Sequence, residues 1–209
     1  MNNIRVMHLA ILGVFSIFYL GLSGCTTVMT TAGQAAWEDR TTEDQITDTK
    51  IHTAITKRLV DLDKNFLLDV SADVWEGRVM LSGTVDSSKR HRQAVIAAKK
   101  DKRIKLFYDH VKVVTEAQAK ARREAKKSGD KDKNGGVNDF WLETKIKAEL
   151  LTTKNVTSVN YRWRSVDSKI FIIGRSPDLA ERNRVLKSIL SVKGVRGVTH
   201  HIQIKPGKK

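Results

Sequence analysis

Two sets of apolar residues recur at every fourth position: Ile51, Ile55 and Leu59, then Leu142, Ile146 and Leu150. A helix turns about 100° per residue, so this spacing holds each set on one stripe and predicts an amphipathic helix packed on a core. Behind each helix the period changes to two, through Leu68, Val70, Ala72 and Val74 in one place and Val159, Tyr161 and Trp163 in the other. Such alternation predicts a half-buried strand. Turns at Glu76-Gly77 and Asp167-Ser168 lead into "RVMLSG" and "KIFIIG", second strands that complete a hairpin in each place. A further helix is predicted from near Ser87 and from near Asp178, where Pro177 suits the chain just before a helix. A last strand runs through Phe107 to Val114 and through Val195 to Ile204. The order is αββαβ, twice.

The two halves are a tandem duplication. Displacing the chain against itself by 91 residues, without gaps, sets Asp48, Thr53, Ile55, Leu59 and Gly83 on Asp139, Thr144, Ile146, Leu150 and Gly174. Asp48 and Asp139 are read as helix caps. Between the halves, "EAQAKARREAKKSGDKDKNGGV" has almost no large apolar residues and ends in Gly135-Gly136. It is read as a basic linker over 116–137, helical through Lys127 and flexible afterwards. The domains are thus expected at 44–115 and 138–209.

Charge separates the halves where hydropathy does not. The chain carries 38 Lys and Arg against 23 Asp and Glu, a formal net charge of +15, enough to draw it to a polyanion. Residues 44–115 hold 14 basic and 10 acidic side chains, net +4, whereas 138–209 hold 15 and 6, net +9. The second half is the strongly basic one.

The N-terminus decides which polyanion is met. After Arg5 comes an apolar stretch from Leu9 to Leu22, closed by Leu22-Ser23-Gly24-Cys25. This stretch is short for a ~30 Å hydrocarbon core and reads as a secretion signal over residues 1–24. Cys25 is the sole cysteine, so it forms no internal disulfide in an exported chain. Leu-Ser-Gly-Cys resembles the lipobox of bacterial lipoproteins, which implies acylation of Cys25 and a lipid-anchored spacer over 25–43. By the same sorting rule, Thr26 after the cysteine implies the periplasmic face of the outer membrane. Anionic phospholipid headgroups, lipopolysaccharide phosphates and acidic proteins are the polyanions expected there. Nucleic acid is not an expected partner.

The αββαβ order, together with "KIFIIGRSPDLAERNRVLKSILSVKGVRGVTHHIQI", resembles the BON domain (bacterial OsmY and nodulation), whose hairpin ends in glycine and whose last strand opens on a Gly-Val step. The resemblance implies an α+β fold of two tandem BON domains, each with a three-stranded sheet and two helices on one face. The first copy departs from the pattern where Arg103 and Leu106 replace Gly194 and Gly197, so its turn into the last strand is expected to differ. A lipobox followed by two BON copies resembles lipid-binding lipoproteins of the outer membrane that support envelope integrity. The first helix of the second copy, with Asn138, Asp139, Trp141, Thr144, Lys145, Leu150 and Leu151, carries that part of the resemblance.

Candidate chemistry follows from these positions. In "NDFWLETKIKAELL" Trp141 points roughly 140° away from the apolar stripe. Phe140, Trp141, Leu142, Lys145, Lys147 and Leu151 are the expected lipid-binding residues: the indole enters the headgroup boundary and the lysines meet anionic lipid. The alternative is a tethered adaptor that recruits envelope or division-site proteins through exposed sheet faces. Asn160, Arg162 and Arg164, which alternate outward on one strand, would then meet an acidic partner. No enzyme is expected. The histidines His52, His91, His110, His200 and His201 are read as surface or edge residues, and Asp61 and Asp63 as solvated loop carboxylates. No Walker-type loop or nucleophile elbow occurs, and neither cofactor nor metal is expected.

Overall fold

The computed structural model describes residues 37–128 and 139–207. The first repeat is α1 (Thr42–Leu62), a single-turn α2 (Phe66–Asp69), β1 (Val70–Trp75), β2 (Arg78–Val85), α3 (Ser88–Lys99) and β3 (Leu106–Val113). After α4 (Glu116–Ser128), the second is α5 (Asp139–Thr152), a 3-10 turn (Ser158–Asn160), β4 (Tyr161–Val166), β5 (Lys169–Ser176), α6 (Leu179–Ser191) and β6 (Gly197–Ile204). In each sheet the hairpin is antiparallel and the last strand joins its second strand in parallel, in the orders β1-β2-β3 and β4-β5-β6. A parallel neighbour requires a crossover, which α3 and α6 supply.

The anticipated stripes are the cores. Ile51, Ile55 and Leu59 pack with Ala94, Val79 and Leu81, and Leu142, Ile146 and Leu150 pack with Val185, Ile170 and Ile172. Strand starts differ slightly from expectation: Leu68 lies in α2 and Val159 in the 3-10 turn, so the strands begin at Val70 and Tyr161. The cause is a close approach. A Cβ on Gly83 would stand 2.0 Å from the Asp69 carbonyl oxygen, and one on Gly174 2.3 Å from that of Asn160. The strand can run alongside its neighbour only from that point, and only with glycine opposite.

Asp48 and Asp139 do not cap their helices in the expected way. The α1 cap is Thr41, which accepts from the Asp44 amide, and Asp48 stands in the second turn. Its carboxylate instead accepts the amides of Glu76 and Gly77, both at 2.7 Å. Asp139, the first residue of α5, accepts the equivalent amides of Asp167 at 3.0 Å and Ser168 at 2.9 Å. Both turns have positive φ at their two central residues (Glu76 51° and Gly77 77°; Asp167 53° and Ser168 63°), the signature of a tight hairpin turn. Each aspartate thus fastens a hairpin to its helix.

The turn into the last strand differs at one residue, as expected: Gly194 has a φ of 105° and Arg103 in the first copy has no positive φ, yet the strand that follows starts alike. Lys105 N donates to Gly77 O and Arg196 N to Ser168 O, both at 2.8 Å, and Leu106 and Gly197 occupy the same register. Arg103 folds back on Asp101, and a Cβ on Gly197 would meet nothing within 4 Å. The last strand keeps its register without those glycines, although Gly194 itself takes a φ that favours glycine.

The sheet faces turned away from the helices pack on each other. Trp75, Met80, Val166, Phe171 and Ile173 form one buried cluster, with Tyr108 at its margin. The layers therefore run helix, sheet, sheet, helix. Arg164 donates to Asp73 through Nε at 2.9 Å and Nη2 at 3.0 Å, and His110 Nε2 lies 2.7 Å from His201 Nε2. Both pairs are 91 residues apart, the offset of the repeat. Equivalent positions meet across a two-fold-like axis, as they do in an isologous dimer.

Candidate functional site

With the sheets facing inward, the helical layer of each domain is its outer surface. In the second domain α5 is pinned to β4: Trp163 Nε1 donates to Glu143 O at 3.2 Å, and Ser165 N donates to the Glu143 carboxylate at 2.8 Å. That fixes which side of α5 faces out. Phe140 (60 % exposed), Trp141 (37 %) and Leu151 (62 %) stand on the outward arc. Lys145 and Lys147 are exposed among them, with Lys145 Nζ 5.6 Å from the Trp141 ring centroid. The arrangement sets apolar side chains beside cations on one outward face, which matches an interface with an apolar interior and an anionic margin.

Leu142 does not belong to this face. It is fully buried between Ile146 and the sheet, because it lies on the core stripe that the fourfold spacing marked. It presents no surface to a lipid. Cys25 lies outside the described residues.

The repeat provides an internal control for the exposed side chains. Positions 51, 55 and 59 correspond to 142, 146 and 150 and are apolar and buried in both copies. Two of the outward positions do not correspond in chemistry: Phe140 and Trp141 stand opposite Thr49 and Lys50, whereas Leu151 stands opposite the apolar Val60. The repeat keeps the first set in both copies; it does not keep Phe140 and Trp141.

Asn160, Arg162 and Arg164 are brought together, but not toward solvent. The acidic groups they meet lie in the same chain. Arg164 pairs with Asp73; Arg162 Nη2 reaches Glu38 at 2.5 Å; Asn160 and Asp39 exchange two hydrogen bonds, of 2.9 and 2.7 Å. Arg40, from the same N-terminal strap, pairs with Asp48 and lies 4.5 Å above the Trp75 ring. The strap over 38–40 therefore ties the first domain to the second. Arg78, which sequence reasoning passed over, donates across the interface to Gly174 O at 2.8 Å and His201 O at 2.7 Å. Its only signal was a cation at the edge of the apolar run Val79-Met80-Leu81.

The histidines are not all peripheral. His201 stacks on Tyr108 with centroids 3.6 Å apart, and His110 stacks on Phe171 at 4.2 Å. Burial, then the neighbouring His110, His200 and Arg78, push His201 down to about 4; burial and Lys169 lower His110 against the pull of Asp109. Asp61 lies within α1, paired with Lys57, and Asp63 receives Arg90. Among the described residues no group of three or more His, Cys, Asp or Glu is placed to hold a metal ion. Nor is any described helix long and apolar enough to cross a membrane.

The family profile of the BON domain matches residues 47–115 and 138–206. An uncharacterized protein of the gshII 5′ region of Anaplasma centrale is 27 % identical over 167 residues, 78 % of this chain and 98 % of that protein. Among solved structures, CdsD, a structural protein of the type III secretion system of Chlamydia trachomatis, aligns over 73 % of this chain and 94 % of its own at 12 % identity, with a TM-score of 0.31. Its C-terminal domain in another structure aligns over 69 % and 65 % at 14 % identity, with a TM-score of 0.27.

Proposed function

Because the chain belongs to the BON family and carries the domain twice, we propose that it is an outer-membrane lipoprotein whose second BON domain docks on anionic phospholipid and supports envelope integrity. BON domains are associated with phospholipid binding and envelope functions. On this reading the chain faces the periplasm, is anchored through Cys25 and resembles the dual-BON protein DolP. The observation that carries it is the difference between the two helical layers. Phe140 and Trp141 are exposed where the first copy has Thr49 and Lys50, so the repeated core does not require aromatic side chains there; Leu151 stands opposite the apolar Val60.

Docking needs no catalytic step. An indole in the headgroup region buries its ring and keeps its N–H hydrated, while Lys145 and Lys147 each contribute about 1 kcal/mol beside an anionic surface. The adaptor reading relied on exposed sheet faces, and those faces cover each other. Trp141→Glu tests the proposal. Partition onto anionic vesicles should fall at least about ten-fold, through loss of an interfacial anchor and gain of a repelled charge. Thermal stability should change by less than about 1 kcal/mol. A folded variant with undiminished binding would remove the membrane role.

A further inference from the structure

The same internal control, applied to the other outward helix, extends the docking face. On α6, Glu181, Val185 and Ile189 are buried. Leu179 and Leu190, about 20° apart around the axis and three turns apart along it, point outward at 56 % and 55 % exposure. Their equivalents in the first domain are Ser88 and Lys99, both exposed. Fold and burial are the same in both copies; the apolar side chains are not. Lys187, exposed on the same stripe, and Lys193 just beyond the helix add positive charge. The first domain exposes apolar residues of its own on its helical elements, Ile46 and Leu62 on α1, Leu67 on α2 and Ile96 on α3 where the second has Lys187, but none of them stands opposite Leu179 or Leu190.

α5 and α6 lie side by side on one face of the second sheet: Thr153 Oγ1 is 3.0 Å from Ser188 Oγ, and Arg184 Nε donates to Asn155 O at 3.1 Å. Their outward stripes therefore belong to one surface, and the first domain covers the opposite side of the sheet. We propose that α6 is a second membrane-contacting element: Leu179 and Leu190 enter the headgroup boundary of an anionic phospholipid bilayer together with Phe140, Trp141 and Leu151, and Lys187 lies against the lipid phosphates. The inference rests on the docking role of the second domain and specifies a footprint two helices wide. Apolar side chains interspersed with lysines on one helical layer complement an extended anionic surface.

The test uses the chain from Thr26 onward, which keeps every described residue, and vesicles of phosphatidylcholine with and without phosphatidylglycerol. Two variants are compared: Leu179→Ser with Leu190→Gln on α6, and Phe140→Ser with Trp141→Ser on α5. Ile96→Gln serves as a first-domain control. The α6 variant should lower partition onto anionic vesicles by about ten-fold, with thermal unfolding and the control's binding unchanged. If only the α5 variant loses binding, the α6 contact is overturned and the single-helix reading stands. If only the α6 variant loses binding, the present inference stands and the role of Trp141 falls. If neither does, this layer does not dock on lipid and both are overturned.

Discussion

Arg164 and Asp73 occupy the same position in the two repeats, carry opposite charges, and bind each other through two hydrogen bonds across the sheet-to-sheet interface. Arg164 also lies 3.5 Å from Glu143, so it joins the helix that carries Trp141 to the first domain. Removing one member leaves the other partly buried without its partner. Asp73→Ala should cost about 2–3 kcal/mol and lower Tm by roughly 5–10 °C. Asp73→Arg should be worse, since it sets like charges together, and Asp73→Arg with Arg164→Asp should recover only part of the loss, because the pair is restored across the two-fold-like axis while an aspartate at 164 faces Glu143. Thermal unfolding of the three variants checks this. No recovery in the double variant would mean that the pair is not an isolated interaction.

The two clasping aspartates make a graded prediction. Asp48 is almost wholly buried and also receives Arg40 at 2.6 Å, whereas Asp139 is more exposed. Asp48→Ala should cost about 3 kcal/mol and Asp139→Ala about 1 kcal/mol, the range for buried charged acceptors against half-solvated ones. Denaturant midpoints of the two variants give the order. Equal losses would show that burial does not set the strength of the clasp.

Much of this was legible in the sequence, and the misses at the sheets share one cause. The stripe of Ile51, Ile55 and Leu59 and its copy gave the cores, because burial against a sheet imposes a fourfold period that nothing else explains. The outward direction of Arg162 and Arg164 was also right, but outward meant toward the other domain. Strand alternation separates two faces without saying what covers the second. A trace of the answer was present in Val79-Met80-Leu81 and Ile170-Phe171-Ile172-Ile173, apolar runs too continuous for a sheet with a wet face. Opposite charges at Asp73 and Arg164, and histidines at 110 and 201, marked the axis. Glu38 and Asp39 left no such trace, since the strap lies outside the repeat and its pairing with Arg162 and Asn160 exists only in three dimensions. Within the lipid-binding set, helical phase already separates Leu142, on the core stripe, from Phe140, Trp141 and Leu151.

Membrane attachment is tested through Cys25. Cys25→Ser should abolish palmitate labelling and release the protein from the membrane fraction, because the several acyl chains of a lipoprotein outweigh the reversible binding of a folded surface. Fractionation with labelling of both forms checks it. A wild type without label, or a mutant retained as well as the wild type, would exclude the anchor.

The histidine pair at the axis makes the assembled fold sensitive to acid. A neutral pair shares one hydrogen bond, whose donor and acceptor are set by tautomer, and a second proton would set two imidazolium rings together near Arg78 and Lys169, with Asp109 as the nearest acidic group. Both histidines have folded pKa values below the ordinary value, so the unfolded chain binds protons first as pH falls. Their contribution to stability is complete above about pH 6.5 and is lost progressively as pH drops toward 4. The wild type should therefore lose more thermal stability between pH 7 and pH 5 than His110→Gln with His201→Gln, whose amides hydrogen-bond without titrating. Unfolding of the wild type near pH 5.5 should also take up more protons than that of the variant, a difference calorimetry in buffers of unlike ionisation enthalpy measures. Coincident pH profiles would place the acid sensitivity elsewhere, and a variant more acid-labile than the wild type would reverse the assigned sign.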